Sequence, residues 1–191
     1  MAASPTPLFL TDRFSMRTSL QLLALTLITL LISTGCTKKG AHLNPGDPAP
    51  NVTLLDQTGT ERSIESFRGQ PLLVYFYPKD STPGCTKEAC AFRDVWDRYE
   101  AAGVAVVGVS TDDVESHAKF AEEHNLPFLL LADTDSELAK GFGLKSRLGF
   151  HPRMSFLLDG EGVIRAVYPD VDPGVHAAEV LEDAEALDLA R

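Results

Sequence analysis

Seven consecutive residues, Pro71–Tyr77 (PLLVYFY), carry no charged side chain and stop at Pro78, and this run most constrains the fold. A half-exposed strand alternates apolar and polar residues, whereas a continuous apolar run marks a strand buried on both faces. The next segment is equally restrictive. The chain turns through Pro78 and Pro83-Gly84 and opens a helical pattern with Cys85, and a second cysteine, Cys90, comes five residues later. A thiol at a helix N-terminus meets unpaired amides and the positive end of the helix dipole, which favour the thiolate, its reactive form. Strand, turn and helix together point to redox chemistry.

Periodicity along the rest of the chain predicts an α/β protein. Val104–Ser110 (VAVVGVS) and Phe128–Ala132 (FLLLA) read as further buried strands, and Val52–Leu55 with Glu61–Ile64 as an N-terminal hairpin around Gly59. Met154–Leu158 and Val163–Val167 make a second hairpin across Asp159-Gly160-Glu161-Gly162. Helical patterns lie between them at about Cys85–Ala102, Val114–His124, Ser136–Phe142 and Val175–Leu187. Strand–helix alternation plus antiparallel hairpins predicts a central mixed β-sheet with helices on both faces. No internal repeat and no second domain is visible.

The N-terminal residues have a different pattern. Arg13 and Arg17 precede Leu20–Ile32 (LQLLALTLITLLI), and Ser33-Thr34-Gly35-Cys36 closes it with small residues. This order describes an export signal over residues 1–35. Its thirteen apolar-run residues fall short of the roughly twenty of a membrane span. Gly35-Cys36 resembles the end of a bacterial lipoprotein signal. That resemblance implies a lipid anchor on Cys36, a tether over 36–44 and attachment to a bacterial membrane on its exported side. Thr37 rather than an aspartate comes after Cys36, as in lipoproteins sorted to an outer membrane. A start at Met16 gives a tidier signal, and an uncleaved anchor or an ordinary export signal with Cys36 incidental are the competing readings. One domain remains, 45–191, long enough to bury a core. The 191-residue chain has net charge −10, and loss of 1–35 with Asp12, Arg13 and Arg17 leaves −11. With no basic run and no aromatic–basic interleaving, nucleic acid is excluded as a partner class.

Helical spacing separates the two cysteines. Cys85 continues the apolar stripe of Ala89, Phe92 and Trp96, so its sulfur faces inward, whereas Cys90 falls with Asp94 and Asp97 on the polar side. Five residues rotate about 140° and rise about 7.5 Å, which places the two Cα atoms roughly 8.6 Å apart. A disulfide requires about 4.4–6.8 Å. The pair can bond only if the first turns of the helix unwind, which suits a redox cycle better than a static staple.

Pro78-x-x-x-Thr82-x-x-Cys85 resembles the active-site signature of peroxiredoxins, and YFYPKDSTPGCTKEAC is similar to the bacterioferritin-comigratory (Q-type) subfamily. The likeness continues in Gly46-Asp47-Pro48-Ala49-Pro50, Phe67-Arg68-Gly69, Gly108-Val109-Ser110-Thr111-Asp112 and Arg153-Met154-Ser155-Phe156. It implies a thioredoxin-like fold and a thiol peroxidase that reduces hydrogen peroxide and organic hydroperoxides. Cys85 is then the peroxidatic nucleophile and Cys90 the resolving thiol. Thr82 bonds the peroxide or thiolate through its hydroxyl, Arg153 holds the thiolate and polarises the O–O bond, and Pro78 shields the sulfur from water. The amides of Gly84 and Cys85 add backbone donors. The resemblance further implies a thioredoxin-like dithiol reductant, no cofactor and a monomer.

Simpler readings stand beside these. Thr82 can serve as a helix cap, Lys79 and Lys87 as solvated charges, Phe92 and Trp96 as core, and His151 as an ordinary loop histidine. Two cysteines at C-x₄-C without a second pair do not make a tetrahedral metal site. An extracytoplasmic thiol–disulfide oxidoreductase and a metallochaperone on the same fold are the alternative functions.

Overall fold

The computed structural model describes residues 42–190. The export signal read over 1–35, Met16, Cys36 and most of the tether lie outside them.

Seven strands form one mixed sheet: β1 (Thr53–Asp56), β2 (Glu61–Ser63), β3 (Leu72–Phe76), β4 (Ala105–Ser110), β5 (Leu129–Ala132), β6 (Met154–Leu158) and β7 (Ile164–Tyr168). Their order is β2-β1-β5-β4-β3-β6-β7. The strands β3, β4 and β5 are parallel, while β1 joins β5 and β6 joins β3 antiparallel. Both hairpins read from the sequence are present. Every residue of β3 is buried, because the strand is paired on both edges and covered on both faces. That is why it contains no polar alternation.

Alternate residues of β3 supply two cores. Leu73, Tyr75 and Tyr77 point into one, which α1 (Pro83–Asp94), α2 (Trp96–Ala102), α3 (Val114–His124) and α5 (His176–Ala186) line with Cys85, Phe92, Tyr99, Phe120, Val180 and Leu181. Leu72, Val74 and Phe76 point into the other, filled by Leu138 and Phe142 of the α4 (Glu137–Gly141) region and by Phe156 of β6. Complete burial of each such side chain contributes about 1.5–3 kcal/mol. Gly108 of β4 admits the Tyr75 ring, since a Cβ there would lie 2.7 Å from the phenol oxygen.

One predicted helix is two. The stretch Cys85–Ala102 begins earlier, at Pro83, and breaks at Val95, whose φ of −115° and ψ of 19° leave the helical region. Phe92, Trp96 and Tyr99 remain on the same side across the break: Trp96 stacks on Tyr99 at 6.2 Å, and Phe92 meets Tyr99 edge-on at 5.7 Å. The apolar period survives the interruption, so it could not reveal it.

Candidate active site

The site lies where β3 ends and α1 begins. Ser81 turns the chain with φ of 56°, and Thr82 is extended at the N-cap. Pro83 occupies the first helical position, where its fixed φ suits the helix and its missing N–H removes one unpaired donor. The amides of Gly84 and Cys85 are first-turn donors with no helical carbonyl four residues behind them. Cys85 is 2% exposed, so the inward orientation read from its spacing is present. Cys90 is half-buried, and both are free thiols on an unbroken helix.

Arg153 immediately precedes β6, which is antiparallel to β3, so its side chain starts at the same end of the sheet. Its Nη2 donates to Cys85 Sγ at 3.2 Å, and Nη1 donates to Glu88 Oε2. Gly84 leaves room for the guanidinium, since a Cβ there would come within 3.2 Å of Nη2. Glu88 was not singled out by the sequence. It lies one turn after Cys85 on the inward stripe, and an acid on a core-facing stripe was the available signal. Its carboxyl is 1% exposed and its Oε1 has no partner. Burial pushes this carboxyl up to about 7 against the opposing pull of Arg153. Burial works against the Arg153 charge, but Glu88 and Cys85 outweigh it and hold the guanidinium more firmly protonated.

Thr82 occupies the N-cap position without acting as a side-chain cap. Its hydroxyl donates to the Lys79 carbonyl at 2.9 Å and makes no capping bond to the helix. The tight turn at Ser81 brings that carbonyl within reach. With its hydrogen engaged, the Thr82 oxygen is left as an acceptor. Pro78 is half-buried and lines a groove with Lys145, Arg147, Phe150, His151 and Pro152. Lys79 and Lys87 are exposed; Lys87 lies 3.8 Å from Asp172, and the Lys79 ammonium sits 5.9 Å from the Phe150 ring centre.

Three buried histidines support this edge. His117 of α3 presents Nδ1 to Asp80 Oδ2 at 2.9 Å and Nε2 to the Leu131 carbonyl at 3.2 Å. Asp80 also accepts from Tyr77 at 2.7 Å and Ser116 at 2.8 Å, and its amide donates to Asp112. Burial would raise the Asp80 carboxyl, but His117, Tyr77 and Ser116 together bring it below its ordinary value. Both ring nitrogens of His117 therefore face acceptors, the Asp80 carboxylate on one side and a main-chain carbonyl on the other. His151 is not an ordinary loop residue: it is 2% exposed, its Nδ1 bonds the Ser146 hydroxyl at 2.8 Å, and Asp133 lies 3.3 Å from Nε2. Its ring also meets Phe76 of β3 edge-on at 5.7 Å, a tertiary contact that a histidine beside a proline does not announce. His176 bonds Ser155 through Nε2, and burial, then Arg153, lowers its pKa to about 4. No group of three or more His, Cys, Asp or Glu among the described residues is arranged to hold a metal ion.

Comparisons with known proteins agree on one family. Residues 45–167 match the model of the AhpC/TSA family. A Coxiella burnetii relative named peroxiredoxin bcp is 46% identical over 143 residues, covering 71% of this chain and 95% of its own. The crystal structure of peroxidoxin BcpB from Mycobacterium tuberculosis superposes with a TM-score of 0.72 and 35% identity, covering 76% of this chain and 99% of that one. A Xanthomonas campestris bacterioferritin comigratory protein, studied for alkyl peroxide reduction, superposes with a TM-score of 0.68 at 34% identity, covering 71% and 91%.

Proposed function

The chain belongs to the AhpC/TSA family and is a peroxiredoxin of the Q type, a thiol peroxidase, and on that premise we propose that Cys85 is its peroxidatic thiol and Cys90 its resolving thiol. The observation that carries the assignment is the 3.2 Å contact from Arg153 to the buried Cys85 sulfur at the head of α1. A permanent cation and unpaired first-turn amides together favour thiolate. The thiolate attacks one peroxide oxygen, the O–O bond breaks, and the second oxygen leaves as alkoxide or hydroxide to be protonated. Arg153 and the Gly84 and Cys85 amides face the charge that develops. The Thr82 oxygen, as an acceptor, orients the peroxide O–H. Cys85 becomes sulfenic acid, the Cys90 sulfur displaces water from it, and the disulfide forms. A thioredoxin-type dithiol then restores both thiols.

Stopped-flow mixing of reduced protein with hydrogen peroxide and with an organic hydroperoxide tests this. Loss of one thiol pair far faster than free cysteine is expected, and Cys90→Ser should keep the fast first step and stall at sulfenic acid. Oxidation at the rate of free cysteine, or retention of stoichiometric copper, would overturn it in favour of the oxidoreductase or the metallochaperone.

We further propose export and lipid attachment at Cys36, with the mature enzyme a monomer. The basic, apolar and small-residue order of 1–36 supports the former. The mass of the mature N-terminus tests it. No helix among the described residues is long and apolar enough to cross a membrane.

A further inference from the structure

We propose that the hairpin tip Arg147–Phe150, beside the mouth of the active site, docks on the surface of an anionic lipid bilayer. Arg147 and Phe150 exchange both backbone hydrogen bonds, at 2.9 and 3.0 Å. Leu148 and Gly149 form the turn between them with φ of 53° and 83°. Two successive left-handed residues make a type I′ turn, which favours asparagine, aspartate or glycine at its first central position. A leucine there is sterically disfavoured, and this one is also 97% exposed, against 42–57% for the other exposed large apolar residues. Thr111 fixes the tip by donating to the Gly149 carbonyl at 2.6 Å. The molecule thus holds an apolar side chain out in water, in a conformation that disfavours it.

Charge identifies the occupant. From Leu138 to Leu158 there is no acidic residue, although the whole chain carries net charge −10. Lys145 and Arg147 flank the tip, and Lys79 sits over the half-exposed Phe150. The acids Asp113, Glu115, Asp133, Asp135 and Glu137 line a separate groove with Thr53–Leu55. An apolar tip ringed by cations fits a headgroup layer, where the ammonium and guanidinium groups meet phosphates and the leucine reaches the acyl boundary. A protein surface with an acidic rim matches the charges, but stable protein contacts use broad patches of about 800 Å² per partner. A single protruding leucine needs a yielding medium rather than a shaped pocket. The chain also joins the fold beside this segment, because the Leu43 amide donates to the Phe142 carbonyl at 3.1 Å.

For its setting the proposal rests on the exported, lipid-attached reading, and the experiment does not use the lipid. Residues 40–191 form one compact unit, and the Coxiella burnetii relative consists almost entirely of the matching span, so this unit can be studied without Cys36. It should sediment with vesicles of mixed phosphatidylglycerol and phosphatidylcholine and be released by high salt. Leu148→Ser should weaken partition about tenfold, and Lys145→Gln or Arg147→Gln about fivefold each. Leu148→Ser should leave peroxidase turnover of a dissolved small hydroperoxide unchanged, which verifies folding. Absence of binding at low salt, equal binding to pure phosphatidylcholine, or a Leu148→Ser effect confined to the KM for the dithiol reductant would each overturn the proposal. Failure of lipid attachment would show only in the mature N-terminal mass.

Discussion

Two buried carboxyl groups, Asp80 with its partner His117 and Glu88 with its partner Arg153, flank the turn that presents Cys85, and the two pairs are built to opposite specifications. Asp80–His117 is closed: both carboxylate oxygens and both ring nitrogens have partners. Glu88–Arg153 is open: Oε1 of the glutamate has no partner, and the guanidinium extends beyond the carboxylate to sulfur. Burial loses to hydrogen bonding at Asp80 and wins at Glu88, so the first carboxyl lies below its ordinary range and the second is raised to about 7. A closed pair fixes geometry. An open pair keeps bonding capacity for reacting atoms, and it is also the one attached to the helix that has to unwind under the proposed role of Cys90.

The comparison breaks most directly at His117. His117→Gln removes the ring that bonds the buried Asp80 carboxylate, so it should cost about 3–5 kcal/mol in urea denaturation. A loss below about 1 kcal/mol would show that the ring does not stabilise the Asp80 carboxylate. At the open pair the effect should be kinetic. Arg153→Met should slow Cys85 oxidation about 10²–10³-fold, or roughly 2.7–4 kcal/mol, as loss of a transition-state donor does. Its circular dichroism should be unchanged, and a rate within about threefold of wild type, read by stopped flow, would remove Arg153 from the chemistry.

His176 tests burial that outweighs nearby carboxylates, since Glu179 lies 3.6 Å from its Nδ1 and Asp183 pulls the other way. Its folded pKa of about 4 lies below the ordinary 6.5. Above 6.5 the ring is neutral in both states; below it the unfolded chain takes up a proton that the folded chain refuses. The contribution is therefore complete above 6.5 and disappears as pH falls to 4, about 3 kcal/mol in all. His176→Gln should flatten that limb of the stability curve. The smallest effect is expected at Glu88. Its carboxyl keeps a proton up to about 7 in the fold and releases it at 4.5 when unfolded, so its contribution is present below 4.5 and declines as pH rises through 7. Glu88→Gln should remove this slope and slow oxidation about tenfold, near 1.4 kcal/mol. An unaltered pH–rate profile between about pH 5.5 and 8.5 would leave Glu88 with no part in orienting Arg153.

Much of this was legible from residue patterns, for identifiable reasons. β3 could be read because burial on both faces leaves a continuous apolar run, and Cys85 because proline and glycine punctuate the start of α1. Arg153 was reachable only through resemblance, since nothing local ties an arginine to a sulfur 68 positions earlier. Glu88 was hidden by its charge: a glutamate on a helix reads as solvated unless its neighbours are known to be core. His117 was hidden because its partners come from the β3 turn and β5, which only the sheet brings together. Val95 ended a helix without disturbing its period.

The unbroken α1 beneath both cysteines has a consequence for survival under stress. On the proposed roles of the two cysteines, once Cys85 is a sulfenic acid two events race: opening of the helix so that Cys90 can arrive, and arrival of a second peroxide that oxidises the sulfur irreversibly. The first has a fixed frequency set by local helix stability, and the second scales with peroxide concentration. The proposed cycle accordingly has a crossover dose above which over-oxidation outruns recycling. That dose is the opening rate of α1 divided by the rate constant for over-oxidation, so backbone stability sets it as directly as the reacting atoms do.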